Sequence, residues 1–128
     1  MKKNKKSDCP IYIADANNSF LQGFKEFING SGINLYSFTD GRTLFETTAV
    51  KRPSLIILNT NLPVMGGLET IDAIRTLPCS LVPFVVIMGD NSVELQSEVV
   101  KRQVLCSLLC PPDFTDLKNI ILKAGLKI

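Results

Sequence analysis

The sequence contains no histidine. That absence excludes a Ser/His or Cys/His catalytic pair, an imidazole general base and service as a phosphohistidine carrier. Cysteine occurs as Cys9, Cys79, Cys106 and Cys110, with no CxxC spacing and no histidine to complete a zinc site. A chain of 128 residues needs no disulfide staple, so these cysteines are expected as buried small hydrophobes in a reducing compartment. Long apolar runs are missing as well, and nothing approaches the roughly eighteen residues of a membrane span. Met1-Lys2-Lys3 leads into Asn4, Ser7 and Asp8 rather than the apolar core of a secretory signal. A cytoplasmic protein with no membrane role is the expectation. A basic face is lacking too. The net charge of +2 comes from Lys2, Lys3, Lys5 and Lys6 at the extreme N-terminus, and the rest of the chain is slightly acidic, so no nucleic-acid partner is expected.

What is present is one domain's worth of periodic sequence. Residues 1–9 read as a basic, flexible tail and residues 10–128 as the folded domain. Ile11 to Ala14 is a short apolar run. Phe20, Leu21, Phe24, Phe27 and Ile28 form the stripe of an amphipathic helix, capped by Asn18 or Ser19 and ended at Gly30-Ser31-Gly32. Ile33 to Phe38 predicts a second strand, and Thr39-Asp40-Gly41 turns into a helix carrying Leu44, Phe45, Thr48 and Ala49, closed by Pro53. Leu55 to Leu58 and Phe84 to Met88 are apolar without alternation, as strands covered on both faces should be. Between them Leu68, Ile71, Ile74 and Leu77 mark a helix stopped by Pro78. A helix with a weaker stripe follows from about Val93 to Gln103, then a strand from Val104 to Leu109. Asp113 caps a last helix with Phe114, Leu117, Ile120, Ile121 and Ala124 facing inward.

Five strands alternating with five helices predict an α/β, doubly wound parallel sheet of order 2-1-3-4-5 in the flavodoxin-like arrangement. In such sheets the functional crevice lies at the carboxyl ends of the strands, near the switch point between the first and third. Those ends carry Asp15, Ala16, Asn59, Met88 and Cys110.

The order of elements, the run Leu55-Ile56-Ile57-Leu58-Asn59 continuing through Leu62-Pro63-Val64-Met65-Gly66-Gly67-Leu68, and a proline directly after the fifth strand resemble the receiver domain of two-component response regulators. The resemblance covers residues 10 to 126. It implies an aspartate phosphoacceptor at the end of the third strand, an acidic pair after the first, a backbone carbonyl ligand for Mg²⁺, a hydroxyl ending the fourth strand and a lysine ending the fifth. In this chain those positions hold Asn59, Asp15 with Ala16, Asn61, Met88 and Cys110. The aromatic that the family places three residues before its lysine falls on Ser107. The peptide bond before Pro111 corresponds to one that is usually cis in the family, and cis is expected here.

Forming an acyl phosphate requires an anionic oxygen, and an amide oxygen carries too little charge to serve. Mg²⁺ is normally held through one or two carboxylates plus phosphate, so Asp15 with the Asn61 carbonyl is a vestige, and no cofactor is expected. Asp15 is instead expected to bond nearby amides such as Asn17, Asn18 or Asn59. Losing the lysine together with one acid avoids leaving charges unpaired. The sequence therefore predicts a non-enzymatic, non-phosphorylatable receiver-like module. By resemblance it would bind a protein partner or itself through the face of the fourth helix, fifth strand and fifth helix, at Val99, Lys101, Arg102, Ser107, Lys118 and Leu122. A small-molecule sensor using an apolar crevice around Met88 and Cys110 is the alternative. A thiol switch at Cys110 lacks a neighbouring cation to lower its pKa, and an FMN domain lacks a glycine- and hydroxyl-rich phosphate cradle after the first strand. The chain leaves no room for an output domain, so it is expected to be stand-alone or part of a longer protein.

Overall fold

A computed structural model describes residues 10–78 and 81–124. Five parallel strands, β1 (Ile11–Ala14), β2 (Leu35–Phe38), β3 (Leu55–Asn59), β4 (Phe84–Met88) and β5 (Cys106–Leu109), form one sheet in the order β2-β1-β3-β4-β5. The helices are α1 (Asn18–Phe27), α2 (Gly41–Val50), α3 (Gly67–Ile74), α4 (Val93–Lys101) and α5 (Phe114–Ala124). The expected doubly wound architecture is the one observed.

The uninterrupted apolar strands explain the layering. Every residue of β1, β3 and β4 is buried, and alternate side chains feed two separate cores. Ile11, Ile13, Ile57, Val85 and Ile87 pack with Leu21 and Phe24 of α1 and Leu117 and Ile121 of α5. Tyr12, Ile56, Leu58, Val86 and Met88 pack with Leu44 of α2, Ile71 and Ile74 of α3 and Val99 of α4. Tyr12 is the polar exception, and its hydroxyl donates to the Lys51 carbonyl at 2.6 Å, which satisfies the buried group.

Element boundaries shift from the sequence reading by a residue or more. Asn17, rather than Asn18 or Ser19, caps α1, its Oδ1 accepting from the Phe20 amide at 3.1 Å. The second strand begins at Leu35 rather than Ile33, and the fifth at Cys106 rather than Val104. Helix α4 ends at Lys101 and α3 at Ile74, well before Pro78. Asp40 and Ser92 cap α2 and α4, and Asp113 accepts from the Thr115 and Asp116 amides at the head of α5. The tail at residues 1–9, with Cys9, and also Cys79 lie outside the described residues.

Candidate functional site

Because β2 lies outside β1 while β4 and β5 lie beyond β3, the chain reverses direction between β1 and β3 and opens a crevice at their carboxyl ends. Two polar side chains are buried there, Asp15 at 5% exposure and Asn59 at 6%. The Asp15 amide continues the sheet by donating to the Phe38 carbonyl at 3.0 Å, which aims its carboxylate into the crevice mouth.

The two residues share a closed set of hydrogen bonds. Asp15 Oδ1 accepts from the backbone amide of Asn17 at 2.8 Å, and its Oδ2 accepts from Asn59 Nδ2 at 3.1 Å. The same Asn59 nitrogen faces Cys110 Sγ at 3.7 Å, while Asn59 Oδ1 accepts from the Asn61 amide at 2.8 Å. Asn59 therefore donates to the one carboxylate and accepts from the following loop, so each side of its amide is engaged. No salt bridge reaches Asp15 among the described residues, and no group of three His, Cys, Asp or Glu side chains is placed to hold a metal ion there.

The other strand ends diverge from one another. Ala16 is exposed and contributes no polar side chain. Met88 is buried in the core beneath α4 and also floors a groove of about 300 Å³ whose lining includes Ser107 and Leu109. Cys110 does not line that groove, although its amide donates to the Met88 carbonyl at 3.0 Å. Cys110 is also exposed, which corrects the expectation of inert burial; it stands just past the end of β5, outside the reach of either core. Cys106, by contrast, is partly covered, and burial pushes its thiol pKa up. The Cys110–Pro111 peptide bond is cis.

The residues expected on the interaction face separate as well. Val99 is 2% exposed and belongs to the core, because α4 turns it toward the sheet with Leu95. Arg102 is held by Asp72 and Glu98, whose hydrogen bonds raise its pKa, Asp72 contributing most. Lys118 lies over the Phe27 ring of α1 at 5.8 Å. Lys101, Ser107 and Leu122 are exposed, joined by Val100 and Leu109, which the sequence reading passed over.

Sequence reasoning also missed Thr60 and Gly67. Thr60 Oγ1 accepts from the Gly89 amide at 2.9 Å and so ties the β3 exit to the β4 exit. Gly67 opens α3 directly beneath the site, where a methyl group would sit 2.3 Å from the Asn59 carbonyl oxygen. The preceding loop is tight too, with Val64 at φ 69° between the Pro63 carbonyl and the Met65 amide that it meets at 2.7 Å.

A doubly wound α/β domain whose polar residues meet at the strand ends around the β1/β3 switch point defines the class as flavodoxin-like. Within it, the chain belongs to the response regulator receiver domain family, whose model matches residues 11–122. The family comprises signalling modules of two-component regulation rather than enzymes. An uncharacterized response regulatory protein of Staphylococcus epidermidis is 25% identical over 114 residues, covering 87% of this chain and 44% of its own. The transcriptional regulatory protein PrrA of Mycobacterium tuberculosis is 25% identical over 84 residues, 66% of this chain and 36% of its own. The chain thus spans less than half the length of these curated relatives. A response regulator receiver protein from Pseudomonas putida superimposes with a TM-score of 0.80 at 22% identity, over 91% of this chain and 98% of that one. The receiver domain of a sensor histidine kinase from Pseudomonas aeruginosa, which coordinates a magnesium ion in its active-site cleft, superimposes with a TM-score of 0.81 at 16% identity, over 92% and 98%. At these identities the superpositions establish the fold alone. No helix of the described residues is long and apolar enough to cross a membrane.

Proposed function

We propose that this receiver domain signals through protein contact without accepting a phosphoryl group. The observation that carries the reading is the hydrogen bonding of Asn59. At the position where the family resemblance puts the acceptor, an amide nitrogen points at Asp15 and an amide oxygen is taken by the Asn61 backbone. A phosphoryl acceptor needs an anionic oxygen facing the donor, and here the group facing the crevice is an N–H.

The residues present do not fit Mg²⁺ either. The ion requires several hard oxygen ligands in near-octahedral order. Asp15 is the one carboxylate of the site, and the Asn59 N–H already donates to it at 3.1 Å. The amide does what a cation would otherwise do, since its N–H offsets the desolvated negative charge without adding a charge of its own.

Partner contact or self-association would then use the exposed α4–β5–α5 side, at Val100, Lys101, Ser107, Leu109 and Leu122 rather than at Val99. Incubation with acetyl phosphate and Mg²⁺ followed by intact-mass measurement tests the reading. An unchanged mass is expected; a stoichiometric phosphoryl adduct would overturn it. A second reading, small-molecule sensing, is favoured by the groove above Met88, and a metabolite-panel thermal shift showing no stabilisation would count against it.

A further inference from the structure

Parallel strands, each followed by a returning helix, put every helix C-terminus at the amino edge of the sheet and every strand exit at the opposite pole. The fold thereby sorts charge that looks mixed along the chain. At the amino edge each helix carries a cation in its last turn or at its cap, namely Lys25, Lys51, Arg75, Lys101 and Lys123. Arg52 and Arg102 directly follow two of these. The loops of the opposite pole hold Asp15, Asp40, Asp90 and Asp113.

Attraction to the helix dipoles accounts for cations at these ends, but not for what stands among them. Val50, 89% exposed, closes α2, and Leu81, 88% exposed, lies just before β4; they are the most exposed large apolar side chains among the described residues. Leu105, half exposed, directly precedes β5. The Tyr12 hydroxyl holds the Lys51 carbonyl, and the Ser54 amide donates to the Pro10 carbonyl at 2.9 Å. Lys51 and Arg52 are thus fixed beside the point where residues 1–9, with Lys2, Lys3, Lys5 and Lys6, join the domain. Both are exposed and in no ion pair among the described residues, whereas Asp72 and Glu98 on the same edge are taken up by Arg102 and Lys101. Glu26 stands exposed beside Lys25.

We propose that this amino edge is a docking surface for an anionic lipid bilayer. Exposed apolar side chains set among free cations suit the headgroup boundary, where the cations meet lipid phosphate and the apolar tips reach the acyl region. A nucleic-acid backbone would use the cations and leave Val50 and Leu81 in water. Docked this way, the domain keeps its strand-end crevice directed away from the bilayer. The surface departs from the sequence expectation of no membrane partner, because charge counted along a chain does not show which pole it occupies. It is independent of whether Asn59 accepts a phosphoryl group.

Sedimentation of the full chain with vesicles tests it. Phosphatidylcholine vesicles containing about 30% phosphatidylglycerol should carry the protein down, pure phosphatidylcholine vesicles should not, and about 0.5 M salt should release it. Arg52→Gln should weaken binding about fivefold, the scale of one cation at a charged surface. Arg42→Gln removes the same charge from the opposite end of α2 and should leave binding unchanged. Val50→Ser combined with Leu81→Ser should weaken it about tenfold. All four side chains are exposed, so these variants keep the fold, which circular dichroism checks. Equal weakening by the two arginine variants would reduce the effect to net charge and overturn the proposal. Failure to sediment with the phosphatidylglycerol vesicles, or tighter binding to duplex DNA at the same ionic strength, would overturn it as well.

Discussion

The side-chain nitrogen of Asn59 lies 3.1 Å from the carboxylate of Asp15, and both residues are buried. The contact joins residues 44 positions apart at the ends of adjacent strands, and it makes an amide the natural partner of an otherwise unneutralised acid.

Restoring a carboxylate at this point should therefore harm the free domain. In Asn59→Asp two carboxyl groups meet without a cation, a like-charge arrangement that raises the pKa of the pair. A raised carboxyl pKa means the folded state holds its proton more tightly than the unfolded chain. The variant is accordingly destabilised at neutral pH, by about 1–3 kcal/mol for a group left without its hydrogen bond, and regains stability as pH falls through the raised value. Urea unfolding at neutral and mildly acidic pH measures both parts. Added Mg²⁺ should stabilise this variant and leave the natural sequence unaffected, because only the variant offers two carboxylates.

Gly67→Ala should disturb the same site from below. The added methyl would meet backbone rather than a flexible side chain, 2.3 Å from the Asn59 carbonyl oxygen and 2.7 Å from the Thr60 Cα. Overpacking of this kind costs about 1–3 kcal/mol, and the Asn59 side-chain resonances should shift in the amide spectrum. A neutral substitution would show that α3 stands further from β3 than described.

Tyr12 governs alkaline behaviour. Burial, with the neighbouring Tyr36 as a lesser cause, raises its pKa above the ordinary value of 10.0. Its hydroxyl is thus protonated in the fold where the unfolded chain would lose the proton, so its contribution is complete below pH 10 and is lost as pH rises through the raised value. Tyr12→Phe should lower stability by about 1 kcal/mol at neutral pH through the lost bond to Lys51. It should also flatten the decline above pH 10, read from denaturant midpoints across that range.

Much of this was legible in the sequence because continuous apolar runs such as Leu55 to Leu58 admit few places but a doubly covered strand. Strand ends then name their own crevice, which is how Asp15 and Asn59 were found together. What failed had physical reasons. Val99 was misplaced because α4 has a weak stripe, and only packing decides which of its valines turns inward. The α1 cap was placed at Asn18 or Ser19 instead of Asn17 because adjacent Asn and Ser residues have nearly equal capping power. The bond between Thr60 and Gly89 joins two loops with no common periodicity, and it follows only once β3 and β4 are known to be neighbours.

Replacing Arg102 with alanine should loosen the α3–α4 junction. The doubly bonded pair with Asp72 is partly exposed, so the loss should be about 1 kcal/mol at low ionic strength and smaller in 1 M salt. Equal losses at both salt concentrations would assign the effect to packing of the side-chain stem.

An amide NMR titration with Mg²⁺ and then beryllofluoride, a mimic of the acyl phosphate, tests the central claim most directly. Resonances of Asp15, Asn59, Met88 and Cys110 should stay in place, because the Asn59 amide has taken the place of the acceptor carboxylate. Saturable shifts at these four residues would show that the crevice binds metal or phosphate-like anions, and would contradict the account.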